Sequence, residues 1–166
     1  MKPIRCILFL LLLFFAPTVF AKEAFQKAPP PPDGYALIYM YRIKAGAGLR
    51  KPTILIDREE VSKLPNNAYT WFYVSAGSHS LQTKWGAFSD IPGLEMVVNL
   101  APGETYYLQL ESVSRQMGNQ IKVYTAIKEI ASDVALQDLQ KTKKYFAATQ
   151  QTTGATSTVT EETEEE

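Results

Sequence analysis

Side chains that carry chemistry are scarce in these 166 residues. There is one cysteine, Cys6, and one histidine, His79. A single cysteine close to the N-terminus builds neither a disulfide framework nor a thiolate metal site. A single histidine leaves a metal centre short of its usual nitrogen ligands. The acids Asp57, Glu59 and Glu60 fall in a turn without the spacing of a calcium loop. The loop KAGAGLRK, residues 44–51, has glycines but lacks Walker spacing and does not lead from a strand into a helix, so it is no phosphate cradle. No catalytic, cofactor-binding or metal-binding residue is assigned, and no cofactor is expected.

Charge of one sign is also missing. Seventeen basic residues balance seventeen acidic ones, and no basic stripe is present, so nucleic acid is not an expected partner. Five of the acids crowd the last six positions, as Glu161, Glu162, Glu164, Glu165 and Glu166.

Nor is there a long apolar run. The N-terminal run of large apolar residues, 7–15, has nine residues, which at about 1.5 Å each do not cross a hydrocarbon core of roughly 30 Å. Lys2 and Arg5 precede it and Pro17 closes it, the layout of a secretory signal peptide. Val19 and Ala21 are small enough for the positions three and one before a cut, which places cleavage between Ala21 and Lys22. The alternative is an uncleaved N-terminal tether. Cleavage would discard Cys6 and leave no stable transmembrane span, with the product periplasmic or secreted.

What remains divides into a Pro-rich linker at 22–33, a domain at 34–146 and a Thr/Glu-rich tail at 147–166. APPPPD, residues 28–33, reads as an extended spacer, because each ring fixes its own φ and disfavours helix in the residue before it. The tail has seven threonines, five glutamates and no aromatic residue from Ala148 on, so it reads as disordered.

Period-two alternation dominates the domain. Strands are expected at 35–43, 52–57, 61–64, 69–74, 79–85, 95–100, 105–112 and 120–127, separated by turn residues. A helix follows, with Ser132 as N-cap, Asp133 in its first turn, and Val134, Leu136, Leu139, Tyr145 and Phe146 roughly helical in spacing. The expected fold is mainly β: a single antiparallel β-sandwich, immunoglobulin- or prealbumin-like, with one short C-terminal helix.

His79 lies in VSAGSHSLQ, residues 74–82, which parallels LAPGETYYLQ, residues 100–109; both read as hairpins, with Gly77 and Gly103 supplying positive φ and Thr105 standing where His79 does. A position that threonine also fills points to a structural role for His79. Alternation puts His79 on the face of Leu81 and Trp85. Tyr69, Trp71 and Tyr73 alternate with Phe72 and Val74 and form a candidate binding face for sugar rings or a partner, unless the helix or loops cover them. Tyr35, Tyr39 and Tyr41 make a similar row.

ALIYMYRIKAGAG, PTILIDREEVSKLPNNAYTWFYVSAGSHSL and LAPGETYYLQLE together resemble the bacterial domain-of-unknown-function family 2846, and the Val-x-x-Gly-x-His stretch is similar to PEGA-type surface modules. The resemblance implies a small envelope-associated β-sandwich without assigned catalytic residues. Many relatives look like lipoproteins, whereas here no cysteine follows the apolar run. The expected function is a non-enzymatic exported envelope protein acting as a binding or interaction module, its partner an unidentified envelope protein or cell-wall glycan. The alternatives are a cell-wall glycan-binding module working through the aromatic face, and a hydrolase that joins His79 to a distant acid and serine.

Overall fold

The YALIYMYR stretch is apolar at nearly every position, which a strand tolerates only where both faces of its sheet are covered. A computed structural model of the chain describes residues 25–43, 51–86, 89, 91–142, 144–148 and 152–153, and this stretch forms β1 in it. The expected signal segment lies outside the described residues, as does most of the tail. The elements in chain order are β1 (Tyr35–Arg42), β2 (Thr53–Ile56), β3 (Glu59–Lys63), β4 (Ala68–Ser75), β5 (Gly77–Lys84), β6 (Leu94–Leu100), β7 (Thr105–Met117), β8 (Gln120–Glu129), α1 (Ser132–Lys141), β9 (Lys144–Tyr145) and β10 (Thr152–Thr153).

These strands make two sheets, one of six strands in the order β10-β4-β1-β7-β8 with β9 also on β4, the other of four in the order β3-β2-β5-β6. The fold is the expected β-sandwich with one C-terminal helix. Its inter-sheet core joins Ala36, Ile38, Met40, Phe72, Val74, Leu108 and Leu110 of the larger sheet to Ile54, Ile56, Val61, Leu81, Val98 and Leu100 of the smaller. The outer face of the larger sheet is buried as well: Leu37, Tyr39, Tyr41, Tyr69, Tyr73 and Tyr107 pack with Ala28 and with Ala135 and Leu139 of α1. Three layers result.

Asp57 and Arg58 link β2 to β3 with φ of 50° and 73°, the doubly positive pair that a two-residue type I′ hairpin turn requires. The two glycine-marked connections are different. β4 pairs with β1, whereas β5 pairs with β2 and β6. The Gly77 connection therefore carries the chain from one sheet to the other, and the Gly103 connection carries it back. Neither is the hairpin expected from sequence, because apolar flanks around a glycine serve a sheet-to-sheet arch equally well. Both glycines do adopt positive φ, 134° and 79°. Backbone bonds from Ala76 N–H to the Gly34 carbonyl and from Gly103 N–H to the Tyr35 carbonyl, each 2.8 Å, tie both arches to the start of β1. Since the second arch delivers the chain to the end where β1 begins, β7 runs parallel to β1, Leu37 facing Thr105 and Tyr41 facing Gln109. The larger sheet is thus mixed, where strand alternation alone pointed to antiparallel pairing throughout.

Further departures lie near the ends. Ala131, not Ser132, occupies the N-cap of α1 and makes no side-chain cap bond. Thr142 stops the helix in extended geometry, with its N–H on the Leu139 carbonyl. Tyr145 consequently joins β9 beside Tyr69 rather than continuing the helix. Thr152 and Thr153, inside the expected disordered tail, pair with Tyr73 and Val74. β7 and β8 run on past the sandwich to a turn at Gly118 and Asn119, which makes β7 five residues longer than expected.

Candidate functional site

Tyr69, Trp71 and Tyr73 share one face because a strand alternates, and β1 and β7 set Tyr39 and Tyr107 beside them. The row is covered. Tyr39, Tyr69 and Tyr73 are 1%, 3% and 8% exposed, and Trp71 is half-buried. The cover is the proline stretch expected to be a free spacer. The Tyr39 hydroxyl accepts the Ala28 N–H at 2.6 Å and the Tyr69 hydroxyl accepts the Gln26 N–H at 2.8 Å. Tyr73 donates its hydroxyl to the Pro29 carbonyl at 3.1 Å. Phe25 sets its ring 5.3 Å from that of Tyr69 and 5.9 Å from that of Tyr39, while Tyr39 stacks on Tyr107 at 5.2 Å. Burial, partly opposed by the Ala28 bond, pushes the Tyr39 hydroxyl up to about 12. Prolines suit this strap because their φ is preset and little chain entropy is lost when they dock on aromatic rings. Trp71 is flanked by Tyr73 at 5.5 Å and by Tyr145 at 6.1 Å. The expected sugar-stacking face is therefore an internal interface of this chain.

His79 sits where both sheets meet the first arch. Its Nδ1 lies 2.6 Å from Asp57 Oδ2, and its Nε2 lies 2.8 Å from the Ser75 carbonyl oxygen and 3.4 Å from Ser75 Oγ. The other Asp57 oxygen accepts the Ser80 N–H at 2.8 Å. Burial works to raise the Asp57 carboxyl, but the bonds from His79 and Ser80 outweigh it and hold the group below its ordinary value. An acid, an imidazole and a serine have thus met in space. Their geometry differs from that of a nucleophile and its base: the near neighbour of Nε2 is a carbonyl, which only accepts, so Nε2 must carry a hydrogen to use it and has no lone pair free for the hydroxyl. The cluster instead bridges the β2–β3 turn, the end of β4 and the start of β5, anchoring the positive φ of Asp57. The sequence places Asp57 in a turn and names no partner for it. The clue lay in Asp-Arg having to fill both positions of a two-residue turn.

A third feature escaped sequence reasoning. The β7–β8 extension pairs Val113 with Tyr124, Arg115 with Lys122, and Met117 with Gln120. It exposes Val113, Met117, Ile121 and Tyr124, with Ile121 at 72%. Arg115 lies 5.7 Å over the Tyr124 ring, and the Tyr124 hydroxyl reaches Met117 Sδ at 3.5 Å. At the root of this arm a shallow pocket of about 220 Å³ is lined by Glu111, Val113, Arg115, Tyr124, Thr125 and Ala126. Among the described residues no strand pairs with the outer edge of β8. The exposed positions alternate with polar ones, so in the sequence they resembled ordinary strand positions facing a core.

Among the described residues, no group of three or more histidine, cysteine or acidic side chains is placed to hold a metal ion, and no helix is long and apolar enough to cross a membrane. No curated protein and no solved structure matches the chain. A family model described as "Protein of unknown function (DUF2846)" matches residues 32–124, from the last strap proline through the sandwich to Tyr124 of the arm. With more than half its length so matched, the chain belongs to the DUF2846 family.

Proposed function

We propose that this chain is a non-enzymatic interaction module of the cell envelope, exported by its N-terminal segment, which engages a partner macromolecule through the β7–β8 arm. The arm carries the reading. Val113, Met117 and Tyr124 stand exposed together on one face of the projecting ribbon and Ile121 on the other, and exposed apolar groups of this kind mark contact sites. Engagement of His79 Nε2 by a carbonyl supports a structural rather than catalytic role for that cluster. The leader-like residues Lys2 to Ala21 support export. The strap's bonds to Tyr69 and Tyr73, and the Tyr145 ring beside Trp71, argue against glycan binding on that face.

The test is a photo-reactive phenylalanine in place of Ile121, expressed in the host, with Lys63 of β3 as the control position. Illumination is expected to trap a macromolecule at 121 and not at 63, and mass spectrometry of the recovered chain is expected to find Lys22 as its first residue. An unmodified product in every illuminated sample would overturn the reading, as would hydrolysis of an ester or peptide substrate panel that disappears in His79→Ala.

A further inference from the structure

The outer edge of β8 has a definite chemistry. Ile130 donates its N–H to the Tyr107 carbonyl at 2.9 Å, and β7 and β8 pair without a register shift. Even-numbered β8 residues therefore turn their backbone groups toward β7, and Ile121, Val123, Thr125 and Ile127 turn theirs outward. Proteins usually blunt such an edge with proline, a bulge or charged side chains, and β8 has neither proline nor bulge, its charges being Lys122, Lys128 and Glu129. Here the outward-bonding positions are three β-branched aliphatics and a threonine, residues that favour strand pairing, followed by Glu129 at the end of the strand.

Given the arm as a contact surface, on which this inference rests, we infer that its partner is a second copy of this chain, β8 pairing antiparallel with β8 about Tyr124. A two-fold axis normal to the sheet keeps each face on its own side, so only residues of the same parity can oppose each other. That leaves few registers. Centring on Thr125 sets Lys122 against Lys128 twice, a like-charge opposition that destabilises a ladder. Centring on Val123 runs Ile127 and Lys128 into the turn, against Asn119 and Gly118. Centring on Tyr124 keeps the whole overlap from Gln120 to Lys128 within the strands and opposes no like charges. It sets Lys122 against Ala126, Gln120 against Lys128, Ile121 against Ile127 and Val123 against Thr125. Tyr124 then meets Tyr124, already half-exposed and backed by Arg115. The outward groups of 121, 123, 125 and 127 form the hydrogen-bonded pairs. Tyr124 falls in a non-hydrogen-bonded pair, where the Cα atoms approach to about 4.5 Å.

That spacing lies within the roughly 4.4–6.8 Å that a disulfide spans. In a full-length Cys6→Ser background, position 124 can carry the only thiol whether or not the leader is removed. On mild oxidation Tyr124→Cys is expected to give a reducible species of doubled mass. Lys122→Cys alone is expected to give none, since its copy would lie four residues along, and Lys122→Cys with Ala126→Cys is expected to restore the species with Tyr124 intact. The unsubstituted chain should sediment at twice the mass of Thr125→Pro, which removes one outward N–H and none that faces β7. A monomer at about 100 µM without any crosslink at 124 or at 122/126 overturns the inference, and bridging by Val123→Cys in place of Tyr124→Cys overturns the register. Should Ile121 trap a different macromolecule while these thiols stay unlinked, self-pairing fails and the arm's role as a contact surface stands.

Discussion

Removing the three hydroxyls that hold the strap should release residues 25–32 without unfolding the sandwich, because the inter-sheet core shares no residue with the strap interface. Tyr39→Phe takes the acceptor from a buried N–H, and leaving such a donor unpaired costs about 1–2 kcal/mol. Tyr69→Phe and Tyr73→Phe each remove a part-buried bond, for about 0.5–1 kcal/mol apiece. The rings stay, so the sum is near 3 kcal/mol, which corresponds to about a hundredfold faster local opening. Prolines have no amide hydrogen, so the reporters are the amides of Gln26, Lys27 and Ala28. Exchange measured by NMR should accelerate there in the triple variant, while amides of β1 and β7 keep their protection. Unchanged exchange at Ala28 in Tyr39→Phe would refute the bond's role. A loss of protection spread evenly over both sheets would refute the separation of strap from sandwich.

Asp57→Asn keeps an acceptor for the Ser80 N–H and a residue that tolerates positive φ, but brings no charge to His79. Discounted because the Asp57 side chain is 46% exposed, its cost is expected near 1 kcal/mol in urea denaturation at neutral pH. Since folding lowers the Asp57 carboxyl, the native advantage over Asp57→Asn should be full above about pH 4, the ordinary carboxylate value, and vanish as pH falls through the lowered one; a gap constant down to pH 2 would contradict this. The Tyr39 hydroxyl is raised from 10.0 to about 12, so stability should be level below pH 10 and decline between 10 and 12, less steeply in Tyr39→Phe. A Cβ on Gly93 would meet the Thr83 carbonyl oxygen at 2.6 Å, and Gly93→Ala is expected to cost about 1–3 kcal/mol through displacement of the β5–β6 connection, read as a lowered Tm. Leu139→Ala, at a fully buried position of α1, should cost about 2–5 kcal/mol; a Tm unchanged from the parent would show that α1 does not brace the sheet.

The strands were legible because alternation and turn residues are local signals, and the sandwich followed from their number. Pairing was not legible. VSAGSHSLQ and LAPGETYYLQ show a glycine between apolar runs, but whether the next strand folds back or crosses to another sheet depends on partners elsewhere in the chain. The same limit hid Asp57 from His79, because the β2–β3 turn reaches β5 only through the pairing of β2 with β5. The aromatic row was visible at Tyr69, Trp71 and Tyr73, and its cover was not, since polyproline carries no period that names the surface it docks on. The arm escaped because Val113 and Met117, like Ile121 and Val123, are spaced as core residues of a strand are, and nothing in that spacing tells whether a second sheet lies opposite.

β1 lies between β4 and β7 in the larger sheet, and β7 comes from the far half of the chain. Until Thr105–Gln109 arrives, a strand that is apolar on both faces has one edge bare. Such segments are prone to pair with other chains, and closing so distant a contact is slow. A nascent chain or a fragment ending before Thr105 is therefore the aggregation-prone form of this protein, and the late parallel strand is its intramolecular shield.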